Sequence, residues 1–354
     1  MDIDFEKILK EAKEKLGQVN IIIAGKTGVG KSTLLNAVFK EDLAATGVGR
    51  PVTQYMKEYS KEGELYHIFD TKGFELDCYK DMSEGLKNEI RNRRTANPKE
   101  HIHIMWYCVS EEGARIEPAE IEFIKDISSE IPVILVFTKA MGSDLTFFNK
   151  VKEDNYSIIH SSARVLALAV KTPIGEIPAH GLDTLTELTY QLVPEVAKKA
   201  FAGAQKINKE LKKKSVDAII IAAAAAATTA GAVPIPFSDA IALAPIQLGM
   251  IAGISASMGL ELGTAFFSTI ITSAAGIVGA TYAGRAIVSG LLKLIPGAGS
   301  IIGGTISATT AATLTTAMGY AYYHALTYLQ DNNLELTAEN IAKTFKEQLK
   351  LSQS

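Results

Sequence analysis

The segment from Gly25 to Ser32 constrains this chain more than any other part of its sequence. It reads Gly-Lys-Thr-Gly-Val-Gly-Lys-Ser and fits the pattern G-x-x-x-x-G-K-[ST] in full. An apolar run at 19–24 precedes it and a helical pattern follows from Thr33, which is the strand–loop–helix context that this motif requires. Glycines let such a loop wrap around a polyphosphate, so that backbone N–H groups point inward at a helix N-terminus. The sequence therefore predicts a phosphate-binding loop.

The loop residues have expected roles toward a nucleotide. Lys31 is expected to reach the β- and γ-phosphates, and the Ser32 hydroxyl is expected to bind Mg²⁺. We expect the loop and the residue after it to surround the phosphates, which gives the set Gly25, Lys26, Thr27, Gly28, Val29, Gly30, Lys31, Ser32 and Thr33. The predicted ligand is a nucleoside triphosphate with Mg²⁺.

Two further elements follow in the order that nucleotide-binding domains use. An apolar run from 65 to 69 ends in the pattern D-x-x-G, from Asp70 to Gly73. This pattern predicts that Asp70 lies near Mg²⁺ and that the Gly73 N–H lies near the γ-phosphate. Thr53 lies between the two motifs and is the candidate that closes over Mg²⁺ and the γ-phosphate. Thr46 is the alternative, and Thr53 is then an ordinary loop residue.

This order of motifs resembles the Era-like branch of the translation-factor-related GTPases, which carry GxxxxGKS, a switch threonine, DxxG and [NT]KxD. The apolar run 133–137 ends in Thr138 and Lys139, which match the start of the last motif. The resemblance implies GTP and GDP with Mg²⁺ as ligands, with the base held near Thr138 and Lys139. It also implies GTP hydrolysis, for which we expect Lys31, Thr53 and Gly73 to act.

The sequence departs from this family at two positions. Met141 stands where the family's carboxylate pairs with guanine, and Asp144 could replace it only if the loop bends back. An ATPase therefore stays an alternative. Phe74 follows the D-x-x-G pattern where many small GTPases place a water-orienting glutamine. We therefore expect slow turnover without a partner or assembly, with Lys26 and Arg50 as candidates to neutralise charge, and a slow nucleotide-gated scaffold or switch as the other alternative.

Strand and helix patterns alternate from residue 18 to residue 194, which predicts an α/β domain with a mostly parallel, doubly wound sheet. The expected strands are 19–24, 65–70, 102–109, 132–137 and 165–170. Residues 1–17 show the spacing of an amphipathic helix, and residues 195–354 read as an all-α hydrophobic domain that closes with a helix capped near Thr337.

Charge is almost absent from Ala218 to Gln330, where the acidic and basic residues are Asp239, Glu261, Arg285 and Lys293. A typical soluble domain carries roughly 25% charged residues. We therefore expect lipid or another protein copy to cover part of this surface. Reversible membrane insertion, a soluble bundle that oligomerises and a constitutive span all stay open, because the apolar runs are long enough but rich in small residues.

The second half also resembles bacterial GTPases that carry a C-terminal hydrophobic domain of unknown function. Its signatures are matched by Pro234 to Asp239 and by Leu291 to Gly304. The layout of N-terminal helix, G domain and helical domain is similar to that of the immunity-related GTPases, which implies a homo-oligomer or nucleotide-dependent dimer that acts on membranes.

Composition narrows the setting further. A net charge of −3 gives no basic footprint for nucleic acid, so we expect no nucleic-acid partner. The only cysteines are Cys78 and Cys108, which favours a reducing compartment. The N-terminus lacks a signal-peptide pattern. The expected location is cytoplasmic, with peripheral membrane association.

Overall fold

The computed structural model describes residues 17–39, 50–53, 56–59, 65–71, 79–154, 159–173, 175–231, 239–260, 263–274 and 308–352, with residues 7, 10, 11, 14 and 15. The chain divides into two compact units. One is Gly17–Leu211, and the other is Lys212–Ser354 together with Met1–Leu16.

The first unit is built on a sheet with the strand order β2-β3-β4-β1-β5-β6-β7. Its strands are β1 (Val19–Ala24), β2 (Arg50–Thr53), β3 (Met56–Tyr59), β4 (Tyr66–Thr71), β5 (Ile104–Ser110), β6 (Val133–Thr138) and β7 (Ser161–Val165). The neighbouring strands β4, β1, β5, β6 and β7 pair in parallel. At one edge of the sheet, β2 pairs antiparallel with β3, and β3 pairs antiparallel with β4. A separate antiparallel pair is formed by β8 (Val170–Thr172) and β9 (Gly175–Ile177).

Helices cover both faces of this sheet. They are α1 (Lys31–Val38), α2 (Tyr79–Thr95), α3 (Pro118–Ser128), α4 (Thr146–Asp154), α5 (Leu182–Leu192) and α6 (Glu195–Ala204). Every residue of β1 and of β6 is buried, because strands covered on both sides need near-continuous apolar runs. Two apolar clusters fill the two faces of the sheet. The predicted fold class, a mostly parallel α/β domain followed by an all-helical region, is confirmed.

The structure differs from the expected strands in two places. The expected strand 165–170 is wrong, because β7 ends at Val165 and Leu166 instead exchanges backbone hydrogen bonds with His180. The β2–β3 hairpin was not predicted, since no strand was expected between residues 24 and 65.

The helix α6 extends the first unit beyond residue 194, where the sequence placed the domain boundary. Ala197, Ala200 and Phe201 of this helix are fully buried in the apolar cluster that also holds β1. The unit continues to Leu211. The domain bounds 1–17, 18–194 and 195–354 themselves stay a prediction.

The second unit is helical in its described parts. Its helices are α7 (Lys209–Gly231), α8 (Asp239–Ser257), α9 (Thr264–Ala274), α10 (Ala308–Asp331) and α11 (Ala338–Leu351). Thr337 caps α11, since its hydroxyl accepts the Asn340 N–H at 3.2 Å, as predicted. Small residues allow close helix packing: a Cβ added to Gly319 of α10 would lie 2.7 Å from the Ile220 side chain of α7.

Several expectations fall partly outside the described residues. Of the N-terminal helix, residues 7, 10, 11, 14 and 15 are described, and they are helical and exposed. The turn before Asp239 and the stretch from Leu291 to Gly304 lie outside the described residues. Among the helices that the structure does describe, none combines the length and the apolar character needed to cross a bilayer.

Candidate functional site

The loop between β1 and α1 lies at the carboxyl edge of the sheet, where β1 ends between β4 and β5. Gly25 opens the loop with φ 133°, and a Cβ there would lie 2.2 Å from the Cys108 carbonyl oxygen of β5. Gly28 has φ 81° with open space where its Cβ would be. The first glycine is therefore required by close packing and by conformation, and the second by conformation alone.

Lys31, at the start of α1, folds back over this loop. Its ammonium donates hydrogen bonds to the carbonyl oxygens of Gly25 at 2.8 Å and Lys26 at 3.2 Å. The positive charge is thereby held above the N-terminus of α1, whose backbone N–H groups and dipole favour an anion.

A cavity of about 510 Å³ opens beside this loop. It brings together eight residues that the sequence predicted for the site: Thr27, Gly28, Gly30, Lys31, Ser32, Thr33, Asp70 and Lys139. It is also lined by three residues that were not predicted, namely Lys57, Tyr59 and Thr71. Motifs that lie far apart in the sequence therefore share one cavity.

The carboxylate of Asp70 fits a metal ion at the cavity. Its Oδ1 is buried and has no hydrogen-bond partner. Burial raises the pKa of Asp70 above its ordinary value of 3.8, and the charges of Lys31 and Lys57 oppose that rise. The Ser32 side chain is exposed in the same cavity. An oxygen pair of this kind, together with phosphate oxygens, is what Mg²⁺ prefers.

Thr53 ends β2 at the same edge of the sheet as Asp70. It pairs with Met56, and Met56 pairs with Thr71, the residue after Asp70. The side chains of Thr53 and Arg50 lie outside what the structure describes, as do Thr46, Gly73 and Phe74. Their expected roles stay predictions.

Lys57 and Tyr59 alternate along β3 and so share the face of that strand that meets the cavity. The pKa of Tyr59 is raised, first by burial and then by the Asp70 charge. Sequence reasoning missed this strand, because Met-Lys-Glu-Tyr at 56–59 does not alternate apolar and polar residues, although Met56 is buried on the opposite face.

Thr138 ends β6 against the phosphate-binding loop, and Lys139 follows it directly. The Thr138 hydroxyl lies 2.5 Å from the Val29 carbonyl oxygen and 3.1 Å from that of Val109. Lys139 has φ 54° and its ammonium lies 3.7 Å from a Glu112 carboxylate oxygen. Thr138 therefore ties the end of β6 to the loop, and Lys139 lines the cavity.

Asp144 stabilises the start of α4. Its Oδ1 accepts hydrogen bonds from the Thr146 N–H at 2.9 Å and the Thr146 hydroxyl at 2.6 Å. These bonds hold the pKa of the Asp144 carboxyl below its usual range. This use of Asp144 leaves Met141 at the position where a guanine-binding carboxylate was sought.

The side chain of Lys26 pairs with carboxylates at the N-terminus of α3, while the neighbouring Thr27 lines the cavity. Its ammonium is 2.8 Å from a Glu120 carboxylate oxygen and 3.8 Å from one of Glu117, both at the start of α3. This pairing holds the Lys26 side chain against the start of α3, and its expected role toward a phosphate stays a prediction.

Two stretches of the chain match known protein families. Residues 20–139 match the family model described as 50S ribosome-binding GTPase, and residues 196–354 match a model described as a domain of unknown function. These matches support a P-loop GTPase G domain at residues 20–139, followed by the hydrophobic region that the sequence analysis expected.

Similar proteins include septins. Septin-9 of Rattus norvegicus is 23% identical over 167 residues, which are 40% of this chain and 29% of septin-9. Neuronal-specific septin-3 of Rattus norvegicus is 28% identical over 166 residues, 40% of this chain and 46% of that protein. The chain therefore spans less than half of the length of these curated relatives.

Two solved structures are each similar to about half of the chain. A probable GTP-binding protein engB gives a TM-score of 0.34 at 16% identity and covers 49% of this chain and 98% of its own. The septin GTPase domain from Chlamydomonas reinhardtii gives a TM-score of 0.35 at 15% identity and covers 52% and 93%.

Proposed function

We propose that this protein binds GTP and GDP with Mg²⁺ in the cavity beside Gly25–Ser32 and hydrolyses GTP slowly. We further propose that the nucleotide state controls self-assembly or membrane association of the helical region. One observation carries the first part: a backbone cradle, the Lys31 ammonium and the unpaired Asp70 Oδ1 meet in one cavity. We also propose that residues 18–194 of this protein form a G domain of the Era-like branch of GTPases.

Each residue of the cavity has its own proposed contact with the nucleotide. The Lys31 ammonium exchanges its two carbonyl partners for phosphate oxygens, while the backbone N–H groups of the loop bind the remaining oxygens. Ser32, Thr53 and Asp70 would hold Mg²⁺, which neutralises charge on the β- and γ-phosphates when bound. The Gly73 N–H is proposed to contact the γ-phosphate, and Lys139 to lie along the base.

Lys31→Ala tests this assignment by calorimetric titration with GDP and Mg²⁺. Loss of the ammonium should abolish binding, because no other cation of the described cavity lies on the loop itself. Lys125→Ala removes an exposed lysine of α3 and serves as the matched control. Equal GDP affinity in the Lys31 variant and the control would refute the phosphate site.

An ATPase is the second candidate, and a specific observation favours it. Met141 offers no carboxylate to guanine, and Asp144 is bonded to Thr146. A competition titration in which ATP displaces GDP as well as GTP does would remove the proposed guanine preference. Phosphate release from ATP would then establish the ATPase.

Control of assembly or membrane binding rests on the charge-poor stretch from Ala218 to Gln330. Within it, Ile221 of α7 and Tyr328 of α10 are 66% and 50% exposed. Vesicle flotation and light scattering with GTP, with GDP and without nucleotide test the control. A monodisperse monomer that does not bind vesicles with GTP, with GDP or without nucleotide would refute the proposed control of assembly or membrane binding.

Turnover measured over a wide range of protein concentration tests the hydrolase. A rate that rises with concentration or with vesicles supports assembly-dependent hydrolysis. Phosphate release below about one turnover per hour in the assembled state would instead favour a nucleotide-gated scaffold or switch.

A further inference from the structure

The carboxylate of Glu120 is buried beside the phosphate-binding loop and receives three polar contacts. Glu120 as a whole is 2% exposed. The Tyr107 hydroxyl donates to Oε1 at 2.8 Å, while the Glu117 N–H at 2.9 Å and the Lys26 ammonium at 2.8 Å reach Oε2. A buried carboxylate is tolerated only when it is paired and hydrogen-bonded, so each partner is held in place by the need to satisfy it.

These contacts join the phosphate-binding loop to two neighbouring segments, β5 and α3. Tyr107 belongs to β5, Glu120 belongs to the first turn of α3, and Lys26 is the second residue of the loop. The backbone carbonyl of Lys26 also accepts a hydrogen bond from the Lys31 ammonium at 3.2 Å. The residue that anchors the loop to α3 therefore also supports the phosphate-binding lysine.

We propose that the Lys26–Glu120 ion pair is a positioning device that holds the phosphate-binding loop in its ligand-ready shape. Lys26 acts on the nucleotide through the loop backbone and not as a charge on the reacting phosphate. The expected effect on nucleotide binding rests on the proposed function. The expected effect on the conformation of the loop does not.

Two mechanisms make opposite predictions for Glu120→Gln. If the pair positions the loop, Glu120→Gln and Lys26→Met weaken nucleotide binding in the same direction. Their combination then costs less than the sum, because the two residues act through one contact. If Lys26 acts directly on the transition state, freeing it from Glu120 leaves turnover unchanged or raises it, and Lys26→Met alone lowers turnover.

The first experiment measures backbone hydrogen exchange of residues 25–32 in nucleotide-free protein. Glu120→Gln and Lys26→Met should each raise exchange by about fivefold or more, which is typical of breaking one contact in a network. Glu122→Gln is the control, because Glu122 is an exposed carboxylate of the same helix, α3. Lys26→Arg should restore most of the protection.

The second experiment measures GDP affinity and GTP turnover of the same variants. The expected result is a loss of affinity of about tenfold in each single variant, with the Lys26→Met/Glu120→Gln pair no worse than either. This pair also avoids a lone buried charge and so guards against misfolding. Exchange that is unchanged in Glu120→Gln, or turnover that rises in it, would overturn the proposal. Wild-type protein that binds no nucleotide would refute the proposed function but leave the exchange result standing.

Discussion

Gly25→Ala should destabilise the first unit far more than Gly28→Ala, although both glycines lie in the same loop with positive φ. At Gly25 an added Cβ would lie 2.2 Å from the Cys108 carbonyl oxygen and 3.3 Å from the Cys108 Cβ. At Gly28 it would meet nothing within 4 Å. The two variants therefore separate steric overlap from backbone strain.

The expected magnitudes follow from these two terms. Strain at a positive φ costs about 1–3 kcal/mol and applies to both variants. Overpacking against a buried strand adds about 1–3 kcal/mol at Gly25 alone, since the contacted atom is backbone that cannot rotate away. Gly25→Ala should thus lose about 4 kcal/mol, a large share of the roughly 5–15 kcal/mol that stabilises a domain.

Urea unfolding followed by tryptophan fluorescence measures this loss in the first unit. The sequence contains one tryptophan, and Trp106 is fully buried in β5 with its Nε1 donating to the Thr189 hydroxyl at 3.0 Å. Its emission therefore reports on the sheet that holds the loop. Equal midpoints for the two variants would refute the close approach of Gly25 to β5.

Three further outcomes are expected. Burial lowers the pKa of His103 from 6.5 to about 4, and its Nδ1 accepts the Asn20 N–H at 3.0 Å. Stability from a lowered pKa is complete above pH 6.5 and is lost as pH falls toward 4, by about 3 kcal/mol in all. His103→Asn should flatten that part of the stability profile, and an unchanged slope would contradict the assignment. Gly319→Val should destabilise the second unit by about 1–3 kcal/mol in thermal unfolding, because its side chain would overlap Ile220. Gly249→Ala, with no neighbour at its Cβ, should instead stabilise α8 by up to about 1 kcal/mol.

The sequence predicted the parts of the site that depend on local motifs. The loop from Gly25 to Ser32 and the D-x-x-G aspartate follow directly after apolar strands. The carboxyl ends of parallel strands meet at one edge, so Lys31, Asp70 and Lys139 were expected to share a site and do line one cavity.

Contacts between segments that lie far apart in the chain could not be predicted from the sequence. Lys57 lines the cavity only because β3 pairs with β4, and the pairing partner of a short strand is not readable from its residues. The ion pair between Lys26 and Glu120 could not be predicted, because Glu120 belongs to a helix far along the chain. Asp144 was weighed as a base contact, and the start of α4 uses it instead.

Base selection by this cavity tests the central claim most directly. The measurement is displacement of a fluorescent guanosine diphosphate by GTP, GDP and ATP in the presence of Mg²⁺, repeated with EDTA. The account predicts that GTP and GDP displace the probe at far lower concentrations than ATP, and that EDTA weakens GTP most. Equal displacement by ATP, or binding of GTP that is indifferent to Mg²⁺, would contradict it.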